Sequence, residues 1–136
     1  MNRRLITMLS IMGPAMGVLI VLGVFGEGVE RFAWMAVNLS CAFAIGRARV
    51  HNAFWHGVVA GFVIGASATL VQGLFFDAYI ANNPWVPQRF SNQPAGFDLR
   101  VFVMMLVPFI GVAGGLLTGF LSYLADRAMR RRQEAP

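Results

Sequence analysis

The chain has 136 residues, enough for one domain; 57% are apolar, only 12% are charged, and the mean hydropathy is +0.64. A soluble domain carries about 25% charged residues, so half the usual surface charge is missing, which excludes an ordinary soluble globule, a disordered tail and a nucleic-acid arm. The net charge of +5 comes from eleven arginines and no lysine against six acids. Those arginines stand in short clusters between long uncharged runs, the pattern of orientation signals in a polytopic membrane protein.

Four uncharged runs cover residues 5–26, 32–46, 50–76 and 101–125. A bilayer core about 30 Å thick takes roughly 20 helical residues, so the first, third and fourth runs span it unaided. The expected helices are 5–25, 28–48, 53–76 and 101–124. The first run follows Arg3 and Arg4 as a signal peptide would, but it is too long for one and no A-x-A site follows, so a retained helix is expected. Pro14 should kink it beside Gly13. The second run is short. Glu27 and Arg31, spaced i,i+4, and the outward-reaching Arg47 and Arg49 would extend it; a re-entrant or interfacial segment is the competing reading.

Between the third and fourth helices, residues 77–99 carry Tyr79, Trp85, Phe90 and Phe97 interleaved with Pro84, Pro87 and Pro94. Prolines forbid one long helix. Such an aromatic segment lies on the bilayer surface or docks a partner subunit. The last helix continues into Arg127, Arg130, Arg131 and Arg132, a cluster suited to anionic lipid headgroups, with Asp126 and Arg130 at ion-pair spacing.

Four helices put both termini on one side, together with eight of the eleven arginines: Arg3, Arg4, Arg47, Arg49, Arg127, Arg130, Arg131 and Arg132. The positive-inside rule then makes both termini cytoplasmic. Trp34 and Trp85 fall at the outer boundary, and Trp55 and Tyr123 at the inner one. The lack of lysine suits a bacterial inner membrane.

Helices in lipid associate by close contact, which small residues permit. The third helix carries Gly57, Gly61, Gly65, Thr69 and Gly73 at a period of four, and the fourth carries Gly111, Gly115 and Gly119. These ridges predict a close crossing of the two helices or a contact with a second copy. Asn38, Thr69 and Gln72 are the intramembrane polar groups that would line a route for a small ion or solute.

No catalytic set is legible, and no enzyme, cofactor or metal site is expected. His51 and His56 at i,i+5 do not share a helical face, and a buried Cys41 behaves as a small hydrophobe. Met8, Met12 and Met16 form a stripe that resembles the M-x-x-x-M element of eukaryotic copper transporters, which implies Cu(I) transfer, although the methionine-rich outer tail of that family is missing; adaptable packing is the other reading. The stretch from Val37 through Asn38 and Phe43 to Gly46 is similar to the V-N-x-x-G-S-F-x-x-G pattern of fluoride channels. Residues 66–69 lack that family's paired phenylalanines, and its helix-one arginine is missing. Small multidrug transporters need an acid inside helix one, where this chain has none. The sequence therefore reads as an all-α, four-helix integral membrane bundle. Its expected role is a structural or accessory subunit, self-associating or docking a membrane-protein partner through the glycine ridges and the 77–99 loop. The alternative is an oligomeric channel or transporter.

Overall fold

The computed structural model describes residues 1–94 and 96–134, with side chains described to residue 131. Every regular element among the described residues is helical: α1 (Arg3–Ser10), α2 (Met12–Val21), α3 (Val29–Arg47), α4 (Ala53–Leu74), α5 (Phe76–Asn82), α6 (Trp85–Arg89) and α7 (Leu99–Glu134). Three helical stretches are long and apolar enough to cross a membrane: Arg3–Val21, Ala53–Leu74 and Leu99–Arg131.

Local chemistry explains the boundaries. The Asn2 side chain caps α1 by accepting a hydrogen bond from Leu5 N at 3.2 Å. The first span is interrupted at Ile11 rather than at Gly13, because the Pro14 ring presses on the carbonyl one turn back, at Ser10. That span stops at Val21, short of residue 25, where Gly23 takes a left-handed φ of 69°. Pro108 does not interrupt α7. Asp98 opens α7, its Oδ1 accepting from Arg100 N and Val101 N at 2.9 and 3.1 Å, and the helix runs on through the arginine-rich tail to Glu134.

An expected ion pair is corrected. Glu27 does not pair with Arg31. Gly28, at φ 86°, turns the chain just before α3, so Glu27 lies outside the helix and the i,i+4 geometry never forms; its carboxylate instead accepts from Arg89 Nη2 at 2.7 Å. Residues 77–99, where prolines forbid one long helix, hold two short ones, α5 and α6, toward their start. These two helices fold back over the end of α2. The Asn83 amide, almost fully buried, donates to Ile20 O at 2.9 Å and Tyr79 O at 2.8 Å, and Asn82 donates to Val21 O at 3.0 Å. Last-turn carbonyls have no partner within their own helix, and these amides supply one. Around them Met16, Ile20, Val21, Phe76, Tyr79, Val86 and Val103 form an apolar core.

α4 is the central helix, touched by α1–α2 on one side and by α7 and α3 on the others. Its contact with α7 is backbone on backbone. A Cβ built at Gly61 would stand 2.5 Å from Gly114 O; at Gly57, 2.6 Å from Thr118 O; at Gly65, 2.9 Å from Ile110 O. From the α7 side, a Cβ at Gly115 would stand 2.7 Å from Val58 O and one at Gly119 3.0 Å from Phe54 O. Gly111 meets the Phe62 ring and Gly73 the Met104 thioether, side chains rather than backbone. The faces of Gly57, Gly61 and Gly65 are thus filled within a single chain.

Candidate functional site: a groove between α3, α4 and α7

Beside the α4–α7 seam the packing opens. Two cavities of about 280 Å³ each adjoin, sharing Trp34 and Ile110 as walls. The upper one lies under α5 and α6 and brings together Glu30 and Trp34 of α3, Thr69 and Gln72 of α4, Tyr79 of α5, Trp85 and Arg89 of α6, and Phe102 of α7. The lower one runs along the helices between Asn38, Gly61, Ile64, Gly65 and Leu117. Glycines that admit α7 on one side leave nothing to fill this side, and α3 leans more on α7 than on α4.

The lower cavity is apolar apart from Asn38, whose amide is engaged within the chain. Asn38 Nδ2 donates to Trp34 O at 2.7 Å, and its Oδ1 accepts from Thr118 Oγ1 at 2.6 Å. Thr118 also reaches Gly114 O at 2.8 Å, and Ser122 donates to Thr118 O at 2.7 Å. The Asn38–Thr118 bond ties α3 to α7, and both polar atoms of the Asn38 amide are engaged.

The upper cavity differs. Trp34 Nε1 donates to Glu30 Oε1 at 3.2 Å, one helical turn away, and no ion pair among the described residues takes the Glu30 carboxylate. Arg89 is neutralised by Glu27, and its guanidinium sits 5.0 Å above the Trp85 ring. Tyr79 is buried; burial, then the nearby Glu30 charge, push its phenol up to about 12, with Arg89 pulling the other way. Gln72 is only 9% exposed, lines this cavity, and its amide has no hydrogen-bond partner among the described residues. Thr69 spends its hydroxyl on Gly65 O at 3.0 Å. An aromatic cage with one uncompensated carboxylate and one free amide suits a polar, cationic group rather than an anion.

Thr69 and Gln72 line the upper cavity and Asn38 the lower one, and of the three only Gln72 has no side-chain hydrogen bond among the described residues. Sequence reasoning missed Glu30, Trp34, Tyr79 and Arg89 as one constellation. The available signal was the Glu30–Trp34 i,i+4 pair facing a loop rich in aromatics. Elsewhere, Arg127 donates to Tyr123 Oη at 3.0 Å and Arg130 to Asp126 Oδ2 at 2.9 Å. Asp126 Oδ1 is buried with no partner among the described residues, Arg131 is exposed, and the Arg132 side chain lies outside the described residues. His56 is held between Asn2 N at 2.8 Å and Asn52 O at 3.0 Å, while His51 is exposed. The methionine stripe does not share one environment: Met8 is exposed, Met16 is buried, and Met12 Sδ lies 3.7 Å from Cys41 Sγ. Among the described residues no group of three His, Cys, Asp or Glu is placed to hold a metal ion.

No protein family, curated protein or solved structure matches the chain.

Proposed function

We propose that this chain is a four-span inner-membrane protein, both termini cytoplasmic, that serves as a structural or accessory subunit of a membrane assembly. The fourth span is α3. At about 1.5 Å per residue its 19 residues reach across a hydrocarbon core, and its charges (Glu30, Arg31 and Arg47) sit at its ends. Exposed Phe32, Met35, Leu39 and Phe43 give it one continuous apolar stripe at helical spacing, which suits acyl chains. Sidedness rests on the arginines, eight of which share the end that carries both termini. Arg127 and Arg131, with Arg132, would meet anionic headgroups there, with Arg130 already held by Asp126.

The observation that carries the subunit reading is that the intramembrane polar groups other than Gln72 bond within the chain. Asn38, Thr69, Thr118 and Ser122 all bond within the chain, and α4 touches α7 through backbone, so no polar lane runs the length of the helices. Since α7 already covers the α4 glycines, a partner would dock on the α5–α6 cap and the exposed aromatics beside it, Phe75 and Phe97. In liposomes the purified chain should pass neither ions nor small solutes. From native membranes in mild detergent it should migrate well above its 14.9 kDa, and serine at Phe75 and Phe97 should release it. Measurable flux would overturn this reading.

Flux is what the second reading requires: an oligomeric channel or transporter whose route passes Asn38, Thr69 and Gln72. The free amide of Gln72 in an open groove is the observation that favours it.

A further inference from the structure

The upper cavity has the chemistry of a receptor for an ammonium group, independently of any subunit role. Its two charged side chains are not equivalent. Arg89 is satisfied twice, by Glu27 at 2.7 Å and by the Trp85 ring at 5.0 Å, whereas among the described residues Glu30 accepts only the neutral indole N–H of Trp34. The charge left uncompensated at the cavity is therefore negative. Deeper in, Gln72 is nine-tenths buried, and its amide, which has no partner among the described residues, opens to the cavity, where it is available to a ligand. The Trp34 and Tyr79 rings line the same cavity as Glu30 and Gln72, and aromatic faces attract cations; the Arg89 guanidinium over Trp85 is one instance of that attraction at the same cavity. Below, the shared walls lead into the lower cavity, whose polar atoms are consumed and whose rim residues, Ile110 and Leu117, are open to the outside. A headgroup above and an apolar slot below describe an amphiphile.

We propose that this groove binds a primary ammonium group, with the Glu30 carboxylate and the Gln72 carbonyl oxygen accepting its hydrogen bonds and Trp34 and Tyr79 walling it, while an apolar chain lies in the lower cavity. The same ammonium chemistry is offered by an ethanolamine-headgroup lipid and by a free alkylammonium ion, and the test separates them. The full-length chain is reconstituted into bilayer discs containing equal amounts of phosphatidylethanolamine and phosphatidylglycerol, and the lipid it retains is read by native mass spectrometry. In parallel, the chain in phosphatidylglycerol discs is titrated with methylammonium chloride while tryptophan emission is followed.

Wild type should retain the ethanolamine lipid about tenfold over the glycerol lipid, the scale of one charge-assisted contact. Glu30→Gln should abolish that preference and Gln72→Leu should weaken it. Asp77→Asn, which removes an exposed carboxylate that does not line the cavity, should leave it intact. A methylammonium response that Glu30→Gln removes, without lipid preference, assigns the site to a soluble ammonium ion. Equal retention of both lipids with no methylammonium response overturns the site, and so does a preference that survives in both Glu30→Gln and Gln72→Leu. Two variants on different helices keep the test decisive if one fails to fold.

Discussion

The two sides of α4 solve opposite problems with the same residues. Toward α7, Gly57, Gly61 and Gly65 let backbone meet backbone, so that even one added carbon would stand 2.5–2.9 Å from a carbonyl oxygen. Around the helix, Gly61 and Gly65 help line the lower cavity, where the same lack of side chain leaves space. A glycine ridge thus closes a seam only where a partner backbone follows it. Where α3 stands off, it leaves a groove, and the polar residues differ accordingly. Beside the seam they are saturated, as in the Asn38–Thr118 bond; at the loop end of the groove Gln72 and Glu30 are not.

The harshest way to break this contrast is to fill the seam. Gly61→Leu would drive a side chain into Gly114 O and Thr118. Overpacking a tight core costs about 1–3 kcal/mol and occasionally more, and a clash with backbone belongs at the top of that range because helices cannot relax as side chains do. The variant should lose its folded, monodisperse peak in size-exclusion chromatography. Gly73→Ala meets only the flexible Met104 thioether and should elute as wild type. Equal behaviour of the two would mean the α4–α7 contact is looser than backbone packing.

On the groove side, Tyr79 offers a pH-dependent test. Its phenol is raised from 10.0 to about 12, first by burial and then by the Glu30 charge. The unfolded chain therefore ionises this tyrosine before the folded chain does. Stability should be unaffected below pH 10 and should fall as pH rises from about 10 toward about 12, by on the order of 2–3 kcal/mol in all. Alkaline absorbance titration and denaturant melts in detergent would measure both quantities. Glu30→Gln should move the phenol down, because it removes a like charge; no movement would separate Glu30 from Tyr79.

Much of the helical skeleton was legible in the sequence because long apolar helices are dictated locally. Uncharged runs marked the helical stretches, and the i,i+4 rule found the Asp126–Arg130 pair, at 2.9 Å. The same rule failed at Glu27–Arg31 because Gly28 adopts φ 86° and starts the helix later. The groove itself was illegible. Its members come from α3, α4, α5, α6 and α7, and Tyr79, Trp85 and Arg89 reach it only because Asn82 and Asn83 clamp the cap onto carbonyls some sixty positions earlier in the chain. Nothing in residue spacing encodes a tether of that span.

Smaller effects sharpen the comparison further. Asn38→Leu removes the bond to Thr118 and the one to Trp34 O, but Thr118 keeps its bond to Gly114 O, so no hydroxyl is stranded. Polar contacts between membrane helices are worth about 0.6 kcal/mol on average and up to about 1.7, and a loss near 1 kcal/mol is expected in unfolding experiments in detergent micelles.

Smallest is Glu27→Gln. The Glu27–Arg89 pair is more than half exposed on both sides, where ion pairs contribute about 0–1 kcal/mol and salt screens them. Its removal should shift the unfolding midpoint slightly at low salt and not at all near 1 M, where the Debye length is about 3 Å. The same change frees Arg89 beside the cavity, so it should oppose a cation there more than it harms the fold. A large, salt-independent loss of stability would instead mean that this pair, and not the Asn82–Asn83 clamp, holds the cap in place.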